Sequence, residues 1–104
     1  HLKFLIELTR YLGFYPDETE KNKNLFFDLN KGRYESKNGL HVLQGDSLVL
    51  FNKTLGIKFD RLNEVLFSKS QRGVVLELLL KYYQLHLPYF RRPKSIDILA
   101  KVLE

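Results

Sequence analysis

The chain is 104 residues long, carries 17 Lys and Arg against 12 Asp and Glu for a formal charge of +5, and contains no cysteine. That length supports one hydrophobic core and a single domain over residues 1–104, the lack of cysteine removes disulfides and thiolate metal sites, and no apolar run approaches the roughly 18 residues of a membrane helix. No leader with a small-residue cleavage site is recognisable, and His1 stands where a Met would start a chain, so the expectation is a soluble, unsecreted piece of a longer protein. The charge permits an acidic partner, nucleic acid or peptide, without requiring one.

From Leu2 to Leu12 the residues Leu2, Phe4, Leu5, Ile6, Leu8, Tyr11 and Leu12 alternate at helical spacing with Lys3, Glu7 and Arg10, which predicts a helix with the charges as its solvent stripe. Gly13 fits the C′ position after it. Pro16 forces Phe14 to Asp17 into an extended exit packed by two aromatic rings. The wholly polar Asp17 to Asn24 predicts a mobile loop. Next, aromatic-rich Leu25 to Leu29 and Arg33 to Ser36 flank Asn30-Lys31-Gly32, a hairpin whose glycine supplies positive φ, with Leu25, Phe27 and Leu29 expected on the core side. Lys37-Asn38-Gly39 is a second turn, followed by a short extended stretch from Leu40 to Leu43.

Asp46 or Ser47 can cap a short helix through Leu55 with Leu48, Phe51 and Leu55 on one face, and Asp60 can cap another through Phe67. Ser68 and Gln71 form a capping-box pattern at the head of a long helix that Pro88 closes. Its apolar residues cover most of the circumference and leave a narrow polar stripe of Gly73, Glu77, Lys81 and Gln84. At about 1.5–3 kcal/mol for each fully buried large apolar side chain, burial outweighs the roughly 0.2–0.5 kcal/mol of the Glu77/Lys81 pair. This is the central buried helix, and the rest of the chain must wrap it. Ser95 caps a last helix to Leu103, with Asp97 in its first turn. The fold class expected is mainly α, α+β by strict count: a small helical domain around one buried central helix with one inserted β-hairpin.

Motifs for catalysis are missing: His1, His41 and His86 are scattered, and there is no H-E-x-x-H, Gly-rich phosphate loop, G-x-S-x-G or paired-carboxylate arrangement. The expectation is no enzyme. His86, at the end of the long helix, suits a dipole partner better than a ligand. Asn52-Lys53-Thr54 matches a glycosylation sequon within a predicted helix, which reads as chance. The turn Pro88 to Ser95, PYFRRPKS, sets two guanidiniums and an ammonium at the head of a helix, where free N–H groups already attract anions. A solvated basic loop with aromatics turned to the core is the plainer reading of the same residues.

Three stretches, LTRYLGFYPD (8–17), FFDLNKGRYES (26–36) and LLKYYQLHLPYFRRPKSIDIL (79–99), together resemble the C-terminal domain of the bacterial recombination mediator family RecO. The two ends carry the likeness; the middle helices are generic. The resemblance implies a helical domain joined to an N-terminal OB-fold that this chain lacks. It also implies a cytoplasmic, nucleoid-associated role in DNA repair and recombination: annealing single strands and loading recombinase, with RecR as partner, DNA bound by the full-length protein, and no membrane.

Family members capture the acidic C-terminal tail of single-stranded DNA-binding protein, so the resemblance makes Lys94 of the KS element a carboxylate or phosphate contact. Arg91 and Arg92 join it by chemistry, and Tyr83 and Leu87 are placed in the pocket wall. Many members hold zinc through four cysteines after the Y-x-P element and in the hairpin; here Asp17 to Asn24 and Tyr34 to Ser36 stand there, so no cofactor is expected, and packing by Phe26, Phe27 and Tyr34 takes the clamp's place. Two alternatives stay open: direct nucleic-acid binding, and a purely structural or RecR-docking role that would leave an apolar patch on the surface.

Overall fold

The computed structural model describes residues 2–56 and 67–87, which run as α1 (Leu2–Leu12), β1 (Phe26–Asp28), β2 (Arg33–Glu35), β3 (Val42–Leu43), α2 (Gly45–Gly56) and α3 (Lys69–His86). The helices expected from Asp60 and from Ser95 lie outside the described residues. Mainly helical with a small antiparallel sheet, the described part has the expected fold class.

At the start of α3 the capping box is formed: Ser68 Oγ accepts the Gln71 N–H at 3.1 Å, and the Ser68 N–H donates to Gln71 Oε1 at 2.9 Å. The helix buries Val75, Leu79, Leu80, Tyr82 and Tyr83 against α1 and α2, while Gly73, Glu77, Lys81 and Gln84 are exposed along the expected stripe. Leu87 ends it in an extended conformation, its N–H donating to the Tyr83 carbonyl at 2.8 Å.

In α1 the buried set is Leu5, Ile6 and Thr9, narrower than the apolar pattern implies. Phe4, Tyr11 and Leu12 are 51%, 89% and 43% exposed. Lys3, expected on the solvent stripe, instead pairs with Glu7 at 3.2 Å and donates to the Leu55 carbonyl at 2.9 Å, where the C-terminal end of α2 attracts a cation. The Thr9 hydroxyl is satisfied inside the core by the Ile6 carbonyl. Gly13 adopts φ +92° as the C′ residue, and both it and Phe14 donate backbone N–H groups to Thr9.

The sheet has order β2-β1-β3, with Phe27 opposite both Tyr34 and Leu43. Residues directly opposite share a face, so all three point into the core and are buried. The hairpin loop spans residues 29–32, one more than expected, because Asp28 and Arg33 are the last pair. Leu29 turns inward and is buried, held by its N–H to the His41 carbonyl at 2.8 Å. Leu25, expected on that buried face, is 78% exposed: pairing begins at Phe26, so nothing extends the alternation to it. The polar stretch expected to be mobile contains successive turns, Lys21 N–H to Glu18 O and Lys23 N–H to Glu20 O, behind an Asp17 side chain that accepts from the Thr19 N–H.

α2 begins at Gly45, slightly before the expected caps, and buries Leu48, Phe51, Thr54 and Leu55. The sequon is part of this packing: Thr54 is fully buried and Asn52 Oδ1 accepts the Tyr34 hydroxyl.

Candidate functional site

The C-terminal end of α3 is where distant parts of the chain meet. Three polar tips leave one face of the helix over five residues. The Tyr83 hydroxyl donates to the Leu5 carbonyl in α1, the Tyr82 hydroxyl to the Phe14 carbonyl in the exit from α1, and His86 Nε2–H to the Leu29 carbonyl in the hairpin loop at 2.7 Å. The carbonyl partner requires the tautomer protonated at Nε2. Phe14 sits among them, edge-on to Tyr82 and Tyr83 and stacked on His86 at 5.1 Å with an interplanar angle of 8°.

Gly32 completes the junction. At φ +70° its backbone approaches so closely that a Cβ would meet the Tyr82 hydroxyl oxygen at 3.0 Å. Burial pushes the Tyr83 hydroxyl up to about 12 and the Tyr82 and Tyr34 hydroxyls higher still, so all three are neutral donors near neutral pH.

The structure brings together two of the five residues singled out for ligand binding. Tyr83 is 4% exposed and its hydroxyl is engaged by Leu5, so its ring lies in the core and offers no open pocket wall, while its backbone carbonyl accepts the Leu87 N–H. Leu87 is half-buried against the core cluster and is the last described residue before the basic sequence 88–95. Arg91, Arg92 and Lys94 lie outside the described residues.

The role of His86 goes beyond the expected dipole partner, since it latches α3 to the hairpin. Phe14 and Gly32 were not marked by the sequence as members of this junction. Their partners lie dozens of residues away, and no short-range pattern encodes them.

Charge on the described surface is largely paired locally. Arg33 and then Lys31 hold the Glu35 carboxyl below the usual carboxylate range, and Lys3 and Arg10 flank Glu7. Arg10 also lies 3.6 Å from the centroid of the Tyr15 ring. Among the described residues no group of three or more His, Cys, Asp or Glu side chains could hold a metal. Since the whole chain lacks cysteine, its residues do not fit a four-thiolate zinc site.

The sequence pattern of the family described as "Recombination protein O C terminal" matches residues 1–95. The chain belongs to that family. Among its relatives, the proteins named DNA repair protein RecO from Flavobacterium psychrophilum and Flavobacterium johnsoniae are 35% and 36% identical over 102 residues, which is 98% of this chain and 42% of each relative. A RecO from Azobacteroides pseudotrichonymphae is 31% identical over 106 residues, 100% of this chain and 44% of the relative. The chain thus spans about two fifths of the length of the curated relatives it matches. No solved structure matches it.

Proposed function

We propose that this RecO-family domain is a non-catalytic part of a bacterial recombinational DNA repair mediator, and that it binds the acidic C-terminal tail of single-stranded DNA-binding protein. Family membership over residues 1–95 carries the reading. The chemistry of the chain agrees with it. A tail that ends in an apolar side chain and a free carboxylate needs an apolar wall next to cations. Leu87 offers a half-buried apolar residue fixed by its backbone bond at the end of α3, and Arg91, Arg92 and Lys94 follow within seven positions of it.

In this reading Lys94 meets the carboxylate, Arg91 and Arg92 meet the acidic side chains, and the domain supports annealing and recombinase loading with RecR in the full-length protein, in the cytoplasm at the nucleoid. No cofactor takes part. The hairpin that bears zinc in many members is clamped here by aromatic packing.

Fluorescence anisotropy with a labelled tail peptide at low salt tests the assignment. Lys94→Glu replaces an attraction by a repulsion and is expected to weaken binding about tenfold or more, since charge-assisted contacts contribute about 1.5–3 kcal/mol. Equal affinity in wild type and variant would remove Lys94 from the site. Titration with single-stranded DNA alongside separates the nucleic-acid alternative, which predicts steeply salt-dependent binding without peptide.

A further inference from the structure

Ser36 to Leu40 are all exposed and carry the chain from β2, which ends at Glu35, to β3, which begins at Val42. Within that connection stands Asn38-Gly39. Asn38 is the one asparagine of the chain that glycine follows; Asn22, Asn24, Asn30, Asn52 and Asn63 precede Lys, Leu, Lys, Lys and Glu. An asparagine side-chain amide is open to attack by the backbone nitrogen of the next residue, because the ring that closes is five-membered. The rate depends on whether a side chain on that next residue blocks the approach, and on whether its N–H is held elsewhere. At Asn38 neither obstacle exists. Gly39 has no Cβ, and its N–H is turned to the side chain with which it would react, donating to Asn38 Oδ1 at 2.9 Å. The other described asparagines are held back. The Lys23 N–H after Asn22 donates to the Glu20 carbonyl at 3.1 Å, and the Lys31 N–H after Asn30 donates to Asp28 Oδ1 at 3.0 Å. Lys53 after Asn52 lies inside α2, and Asn52 Oδ1 accepts the Tyr34 hydroxyl. Asn24 precedes Leu25, whose branched side chain crowds the nitrogen.

We propose that Asn38 is a site of self-modification, converting through a succinimide to aspartate and isoaspartate. The Gly39 nitrogen gives its proton to a solvent base and bonds to Asn38 Cγ. The Cγ–Nδ2 bond breaks, and Nδ2 leaves as ammonia with a proton returned by water. Water then opens the ring. Attack at Cγ restores the ordinary chain as aspartate. Attack at the main-chain carbonyl carbon of Asn38 leaves the chain running through Cγ, one methylene longer, as isoaspartate. Water is the only co-reactant, and nothing is oxidised or reduced. Each event replaces a neutral amide by a carboxylate beside Lys37. The isoaspartyl form presents a free α-carboxylate, the class of substrate taken by carboxyl methyltransferases that use S-adenosylmethionine. Tail-peptide binding plays no part in this chemistry.

The test ages the folded 104-residue chain in mildly alkaline buffer and follows each asparagine by peptide mass spectrometry, with electron-transfer fragmentation to separate isoaspartate from aspartate. Asn38 should gain about 1 Da. It should convert roughly tenfold or more faster than Asn22, Asn30 and Asn52, since amides locked in the fold react only through local opening. Unfolding in urea should release those three and narrow the gap, while the rate at Asn38 changes little. Gly39→Ala keeps the fold, because φ there is not positive and the added Cβ meets Val42 Cγ2 at 3.4 Å, an ordinary contact. That variant should convert far more slowly, and an isoaspartate methyltransferase with labelled S-adenosylmethionine should mark the aged wild-type chain and leave the aged variant nearly unlabelled. Equal rates at Asn38 and at the locked asparagines of the folded chain overturn the proposal. So does a many-fold acceleration of Asn38 on unfolding, which would mean that the turn protects it, or an undiminished rate in Gly39→Ala.

Discussion

Gly32 has little freedom to change. Two constraints coincide there, a left-handed backbone and a Tyr82 hydroxyl that a methyl group would crowd at 3.0 Å. Tyr82 cannot yield easily, because it is fully buried and bonded to the Phe14 carbonyl. Gly32→Ala is therefore expected to cost about 1–3 kcal/mol from backbone strain, with crowding adding to it. Urea denaturation would measure this, and Gly39→Ala, at a glycine without positive φ, is the control.

At the level of elements, the hairpin is seated on α2 by aromatic rings. Phe27 lies 4.8 Å from Tyr34 and 4.6 Å from Phe51 by ring centroids, and all three are buried where sheet meets α2. We expect a chelator to leave the melting temperature unchanged, elemental analysis to find no stoichiometric zinc, and Phe27→Ala to cost about 3–5 kcal/mol. Stoichiometric zinc in the purified protein would refute the aromatic clamp.

Elements such as these were legible in the sequence in proportion to how local their signals are. The capping box of α3, the C′ glycine of α1 and the positive φ of Gly32 depend on neighbours a few residues apart, and they stand where the pattern puts them. Leu25, Lys3 and Phe4 were misplaced because their surroundings are set by where a strand begins or where a second helix ends. Periodicity carries no information on either. At the candidate site the end of α3 before Pro88 was legible, but the burial of the Tyr83 hydroxyl against Leu5 was not.

For the molecule as a whole, the buried tyrosines set an alkaline limit. Tyr34, Tyr82 and Tyr83 have hydroxyls pushed above the usual value of about 10, largely by burial. Because the folded pKa is the higher one, this stabilising contribution is complete below pH 10 and is lost as pH rises through the folded value, about 12 for Tyr83. Each such tyrosine lowers stability by up to about 1.4 kcal/mol per pH unit in that window. Titration followed by tyrosinate absorbance should show three of the six tyrosines ionising together with loss of circular dichroism. Six independent titrations near pH 10 in a folded protein would contradict it.

The junction at the end of α3 also bears on the order in which the chain can fold while it is being made. The hydrogen bonds from Tyr83, Tyr82 and His86 reach back across 78, 68 and 57 residues. A ribosome releases α1 and the hairpin long before it releases their partners, and contacts of such separation close late. Until residue 86 has left the exit tunnel, the carbonyls of Leu5, Phe14 and Leu29 have no tyrosine or histidine to receive. The domain is therefore built to fold after its synthesis has passed α3, and a nascent chain stalled before that point would expose the apolar side of α1 to whatever chaperone waits there.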